Sequence, residues 1–224
     1  MNPDGKSMDD SVVASMARWP DVPDIYGWLS LSEQGQWRMH PDGGSWRPGQ
    51  MCPQPLPSGE PIESAQIRQF INRNYGCDAS GRWYFQNGPQ RVFIRLDAAP
   101  YILLTGSDAS TLHTHNGLKA EHVNAWWLDD QGRLYAETEH GPGLISGRDA
   151  PAVFDALHTS AGEPLLTLLK SLEPADLPAR PDLLLCLQAT SSTMPGGAAA
   201  AAPLRFCPAS GLPRQLGFVP CPAP

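Results

Sequence analysis

GRWYFQNGPQRVFIRL, residues Gly81 to Leu96, is the stretch on which the reading of the fold turns. Trp83, Tyr84 and Phe85 run into Asn87-Gly88-Pro89, and Val92, Phe93, Ile94 and Leu96 follow. Apolar runs rich in aromatic and β-branched residues, joined by a short Asn/Gly/Pro segment, specify a β-hairpin.

Upstream, Tyr26 to Met39 has the same character, with Trp28 and Trp37 on either side of Glu33-Gln34-Gly35. Between the hairpins lies a Pro/Gly-rich loop, residues 41–61, followed by a helix that Ser64 can cap. Ile67, Phe70, Ile71 and Tyr75 fall on one helical face, and Gly76 stands where a left-handed residue would end the helix. Downstream, residues 98–105 read as a third strand and 106–120 as a polar loop. His122–Leu128 and Arg133–Thr138 read as another hairpin. Helices are expected after Asp149 and around Leu165–Leu172, with a strand at Leu183–Leu187. The segment 190–203 is expected to be a flexible insertion, and Leu204–Cys207 with Leu216–Val219 a closing hairpin. Residues 1–22 form either a short amphipathic helix or a tail. The expected division is that segment, an α+β core over 23–160 and a carboxy-terminal part over 161–224.

Three segments share one pattern: Leu31 to Trp37, Cys77 to Trp83 and Leu128 to Leu134. Each carries polar residues, then Gly35, Gly81 or Gly132, then a polar residue and a large apolar one. A polar side chain that bonds its own backbone opens the turn, glycine takes the positive φ, and the apolar residue restarts the inward face. The expectation is an α+β protein of repeated antiparallel hairpin and helix units, forming a twisted sheet with two or three packed helices.

The order of hairpin, Gly59-Glu-Pro-Ile62, helix, second hairpin and Ala99-Pro-Tyr101 resembles an uncharacterised family of proteobacterial proteins. That family, a domain of unknown function, carries Gly81–Leu96 almost unaltered, and the likeness spans roughly residues 23 to 160. More remotely, the chain is similar to a bacterial family of unknown function built from repeated α+β motifs, for which a signalling role has been guessed. The resemblance implies the repeat and the α+β fold, and carries over no catalytic residue.

The 224 residues carry a formal charge of −7, which disfavours nucleic acid as a partner. No run of 18 apolar residues suggests a membrane span, and the acidic start MNPDGKSMDD does not read as a signal peptide. A cytoplasmic protein is expected. The scattered cysteines, Cys52, Cys77, Cys186, Cys207 and Cys221, then read as free thiols.

His113 and His115 could reach one ion from an extended strand, with His122, His140 or Asp108 adding ligands; a solvated loop is the plainer reading. Gln86, Asn87 and Arg91 could hydrogen-bond a ligand or a partner backbone. Here the plainer reading is a turn, with arginines Arg82, Arg91 and Arg95 outward and paired with Asp78 or Asp97. Trp46, in the Pro/Gly loop, could anchor a partner or cover the edge of the core. Nucleophile elbows and phosphate loops are missing from the sequence, and Cys77 has no readable base beside it. The leading expectation is a non-catalytic binding or regulatory module with a protein or small-molecule partner and no cofactor. The alternative is a metal-binding protein or enzyme centred on His113 and His115.

Overall fold

The computed structural model of the protein describes residues 8–41, 43, 57–106, 109–171, 183–187 and 201–224. The chain forms two compact units, Met1–Pro100 with Gly217–Pro224, and Tyr101–Leu216.

In the first unit, α1 (Asp10–Arg18) precedes β1 (Ile25–Leu31), β2 (Trp37–Met39) and β3 (Glu60–Pro61). Then come α2 (Ala65–Arg73), β4 (Tyr75–Cys77), β5 (Trp83–Asn87) and β6 (Gln90–Leu96). The strands form a six-stranded sheet in the order β3-β2-β1-β6-β5-β4. The hairpin expected at Gly81–Leu96 is β5–β6, closed by Gly88-Pro89 between the paired Asn87 and Gln90. Gly88 has φ +58 and proline follows it, the order of a type II′ turn.

One face of this sheet is the core. Leu31, Trp37, Trp83, Phe85, Ile94 and Leu96 are buried there, each removal from water contributing about 1.5–3 kcal/mol. Helix α2 lies against it, with Phe70 and Phe85 rings edge to face at 5.4 Å and Trp37 Nε1 donating to Asn72 Oδ1 at 2.7 Å. Ser64 caps α2 as expected, its side chain accepting from the Ile67 amide. The helix does not run on to Tyr75. It ends at Asn74, because Tyr75, Gly76 and Cys77 pair with Phe85, Tyr84 and Trp83 as an edge strand. Gly76 is therefore a strand residue, and Ile67 is 48% exposed.

The second unit holds β7 (Tyr101–Thr105), β8 (Leu112–Thr114), β9 (Lys119–Ala120), β10 (Val123–Leu128), β11 (Leu134–Thr138) and β12 (Gly141–Ile145). It continues with α3 (Ala150–Ala156), β13 (Leu157–Thr159), α4 (Leu165–Ser171), β14 (Leu184–Leu187), β15 (Ala202–Phe206) and α5 (Leu212–Gln215). Its nine strands lie in the order β13-β14-β15-β10-β11-β12-β7-β8-β9.

The α+β class is as the sequence indicates, but several expectations need correction. The strands form two sheets, not one, and parallel pairs join β1 to β6, β12 to β7 and β10 to β15. The third strand, β7, joins the second sheet beside β12, where Gly143 leaves room for Leu103; a Cβ there would stand 2.7 Å from the Leu103 side chain. The region read as a polar loop contains β8 and β9. The closing hairpin does not form: β15 pairs with β10 and β14, while Gly217 turns at φ +70 and the Val219 amide bonds the Gly81 carbonyl. Cys77, Cys186 and Cys207 are free thiols, whereas Cys221 is disulfide-bonded. Residues 44–56, with Trp46 and Cys52, and residues 188–200 lie outside the described residues.

Among the described residues the same glycine-closed reversal occurs at five places. Ser32, Asp78, Thr114, Asp129 and Thr159 each donate their amide to the carbonyl four residues on, and accept at their own carbonyl from Gly35, Gly81, Gly117, Gly132 or Gly162. These glycines have φ between +74 and +88. Each opening side chain also accepts from the amide four residues on, as Asp78 Oδ1 does from Arg82 at 3.0 Å and Asp129 Oδ1 from Arg133 at 2.8 Å.

Strand order also recurs. The strands β1-β2-β3-β4-β5-β6, with α2 after β3, have the neighbours and directions of β10-β11-β12-β13-β14-β15, with α3 after β12; the second series has a further helix, α4, between β13 and β14. The registers match Ser30 with Trp127, Arg95 with Arg205, and Arg38 with Tyr135. Even the bond after the parallel pair is repeated: Asp97 donates to the Leu31 carbonyl at 3.0 Å, and Cys207 to the Leu128 carbonyl at 3.1 Å.

Candidate functional site

The face of the six-stranded sheet opposite the core is polar and aromatic. Because side chains alternate along a strand, β6 turns Arg91, Phe93 and Arg95 to this face while Val92, Ile94 and Leu96 face the core. Tyr26 stacks on Phe93 at 4.7 Å, and Tyr84 meets the same ring edge-on at 5.8 Å. Arg82 lies over Phe93 and Arg91 over Tyr84, at 4.7 and 4.9 Å. The three arginines thus share one face. The pairings of Arg82 with Asp78 and Arg95 with Asp97 are found, at 2.8 and 2.9 Å.

Arg95 is not an outward arginine. Its side chain is 2% exposed. Nε donates to Asp97 Oδ1 and Nη2 to the Pro57 carbonyl at 2.7 Å, but buried Nη1 has no hydrogen-bond partner among the described residues. A buried, unused guanidinium donor is costly, because it has left water without a replacement. Ser30 sits beside Arg95 in register on β1 and beside Arg38 on β2. Two residues beyond Arg38, His40 turns to the same side and shares a 2.8 Å hydrogen bond with the fully buried Ser30 hydroxyl. Gly59 makes that position possible: its φ is +63, and a Cβ there would come 2.6 Å from the His40 ring.

Two cations, Arg38 and Arg95, act on one carboxylate and one imidazole. Burial, then the charges of Arg95 and Arg38, push His40 down to about 4, so its ring is neutral. Burial holds Asp97 above the usual carboxylate range despite the attraction of both arginines. Arg38 donates to the Gly59 carbonyl and to Gln36 and has no carboxylate partner among the described residues. The cluster therefore holds one positive charge in excess.

Ser30 and His40 have the spacing of a nucleophile and its base, but not the chemistry. A useful base has a pKa near the working pH and a third group that orients it. His40 is too weak a base, and Asp97 is engaged by Arg95. The pair is a structural link between β1 and the end of β2.

Of the other expected residues, Gln86 and Arg91 are cross-strand partners in the β5–β6 hairpin, with Asn87 at its tip. Gln86 is buried, its amide nitrogen turned back on the Gly88 carbonyl at 2.9 Å, while Asn87 is exposed at the hairpin tip and Arg91 is half-buried. Trp46 and Asp108 lie outside the described residues. His113 lies on β8 beside Lys119, and His115 is the second residue of the Thr114 reversal, its Nδ1 accepting from the Ile102 amide at 3.4 Å. His140 bonds the Lys119 carbonyl, and His122 bonds Glu139 through its amide. Among the described residues no three His, Cys, Asp or Glu side chains come together to hold a metal ion. A groove between β2, β3 and the start of α2 contains Arg68, whose guanidinium is taken up by the Ile62 and Glu63 carbonyls.

Sequence reasoning named Arg95 and Asp97 but not Ser30, Arg38 or His40. The signal that was available is the interruption of an apolar strand, Leu29-Ser30-Leu31, by a hydroxyl.

The DUF2944 family, described as "Protein of unknown function (DUF2946)", matches residues 8–223. The chain belongs to this family. No curated protein matches it. Among solved structures, this DUF2944 member is similar to a DUF1285 family protein from Silicibacter pomeroyi DSS-3. That pair shares 16% identity over 84% of this chain and 85% of the other, with a TM-score of 0.46. A DUF1285 family protein from Shewanella baltica OS155 shares 14% identity over 55% of this chain and 86% of its own, with a TM-score of 0.37. Among the described residues of the DUF2944 protein, no helix is long and apolar enough to cross a membrane.

Proposed function

We propose that the protein is a non-catalytic binding module built on an internal repeat, with its binding site at the Arg95 cluster of the first unit. The observation that carries this reading is the unused donor of buried Arg95. Repeat ancestry is supported by the common strand order, the matched registers and the five like reversals. It also supplies a comparison for the site. At the matched position of the second unit stands Trp127, and Arg205 lies over its ring at 5.2 Å. In the first unit a serine occupies that place and the arginine is buried with an unused donor. One copy fills the position with an indole; the other keeps it small and polar.

The test is Ser30→Trp, which gives the first unit the residue of the second. Wild type and variant are screened by thermal shift against a library of cellular small molecules. Compounds that stabilise the wild type are expected to leave a folded Ser30→Trp protein unmoved. If every such compound stabilises both proteins equally, the site lies elsewhere. The metal reading at His113 and His115 has no comparable support, since no ligand set assembles around them among the described residues. A cytoplasmic location is favoured by three free thiols, while the disulfide-bonded Cys221 weighs against it. Trapping thiols by alkylation in intact cells decides between them, an alkylated Cys221 indicating a reducing compartment.

A further inference from the structure

We propose that the group bound at this cluster is a single oxyanion, a carboxylate or a phosphate, held by Arg95 Nη1 with Arg38 as the second cation. The inference rests on the binding-module reading and adds the chemical class of the ligand.

Three observations lead there. The first is donor chemistry. Guanidinium donates and never accepts, so the unused Nη1 of Arg95 calls for an acceptor. A charged oxygen is the strongest acceptor available to it. The second is charge. Among the described residues Asp97 is the one carboxylate paired with either arginine, and Arg38 donates to neutral oxygens of Ser58, Gly59 and Gln36, two of those contacts being long at 3.4 Å. An anion would balance the excess cation and compete well with a 3.4 Å bond to a carbonyl. The third is arrangement. Arg38 and Arg95 flank Ser30 on adjacent strands and share its face. Strand spacing sets their Cα atoms roughly 10 Å apart, within reach of one small anion for two long side chains. Both arginine charges act on His40 and on Asp97, which places all four groups within one electrostatic neighbourhood.

The opposing carboxylate does not saturate the site. Asp97 takes Nε of Arg95 and the Pro57 carbonyl takes Nη2, which leaves buried Nη1 without an acceptor among the described residues. Ser30, bonded to His40, has a hydroxyl that can turn to a bound oxygen only by giving up that bond.

The full-length protein would be titrated with sodium phosphate, sodium acetate and sodium chloride at matched ionic strength. The Nε–H signals of the arginines are followed by two-dimensional ¹⁵N–¹H NMR. The Arg95 signal, held by Asp97, is expected to move saturably with phosphate or with acetate and not with chloride; whichever ion acts identifies the source chemistry. Arg38→Gln, which leaves the Arg95–Asp97 pair in place, is expected to weaken that ion about 10-fold, the worth of one charged hydrogen bond. Arg91→Gln, on the same face but over Tyr84, should leave it unchanged. An Arg95 signal that responds equally to all three salts, or not at all, overturns the proposal. So does an affinity that Arg38→Gln leaves untouched. If the oxyanion fails while library compounds still lose their effect in Ser30→Trp, only the ligand class is wrong. Compounds that survive Ser30→Trp sink the binding-module reading itself.

Discussion

Gly81 and Gly132 close the same reversal with the same φ of +74, yet their surroundings differ. A Cβ at Gly81 would stand 2.2 Å from the Gly217 carbonyl oxygen, whereas at Gly132 nothing lies within 4 Å. Gly132→Ala should therefore cost only the conformational strain, about 1–2 kcal/mol. Gly81→Ala carries that strain and must also move backbone, so its loss in urea unfolding is expected to be at least twice as large. Equal losses would mean that the 217–220 segment gives way freely. At this scale the sequence is informative about chemistry and blind to neighbours. The reversals at Gly35, Gly81 and Gly132 are legible because a large apolar residue follows. The one at Gly162 is not, since Glu163 and Pro164 follow it. The one at Gly117 is obscured because His113 and His115 suggest metal chemistry before turn chemistry. Arg95 illustrates the same blindness: its pairing with Asp97 is readable from spacing, but its burial depends on Pro57 and the face of β1.

Elements fail or hold according to competition between local and tertiary bonds. Helix α2 could continue by pattern, but edge pairing with β5 gives Tyr75–Cys77 more partners than another helical turn would. Asn74 manages the change. It is fully buried, its Oδ1 accepting from the Asp9 amide at 3.1 Å and its Nδ2 donating to the Phe70 carbonyl at 3.0 Å. Asn74→Ala removes both side-chain bonds at a fully buried position and is expected to lower stability by about 1–3 kcal/mol. It also loosens the start of α1, so trypsin should cut at Arg18 faster in the variant before global unfolding. An unchanged rate at Arg18 would show that Arg73, paired with Asp9 at 3.0 Å, is enough to hold α1. Hairpins, which need only neighbours in sequence, were legible. Parallel pairs such as β1–β6 and β10–β15 join strands far apart in the chain, and no local period announces them.

On the scale of the molecule, each unit buries one neutral histidine, and the two act together on acid stability. His40 in the first unit is pushed down to about 4, mainly by burial and then by two arginines. His115 in the second is pushed down to about 3 by burial alone. In the unfolded chain both return to about 6.5. A histidine with a depressed folded pKa is protonated first in the unfolded chain. Its contribution is fully present above about pH 6.5 and is lost as pH falls toward the folded value. Each such group removes about 1.4 kcal/mol per pH unit through that window. The carboxylates held low, Asp78, Glu139 and Asp149, lose their contribution only below the ordinary carboxylate range. Asp97, held high, acts in the opposite direction and softens the fall in the first unit. Between pH 6.5 and pH 4.5 the histidines therefore dominate. Urea unfolding over that range should show stability dropping with pH, and because the chain has two compact units, each can be followed by its own tryptophans. His40→Gln keeps an acceptor for Ser30 and should flatten the slope in the first unit only. His115→Asn keeps an acceptor for the Ile102 amide and should flatten it in the second only. A slope that neither substitution changes would assign acid sensitivity to the carboxylates and remove the buried imidazoles from the account.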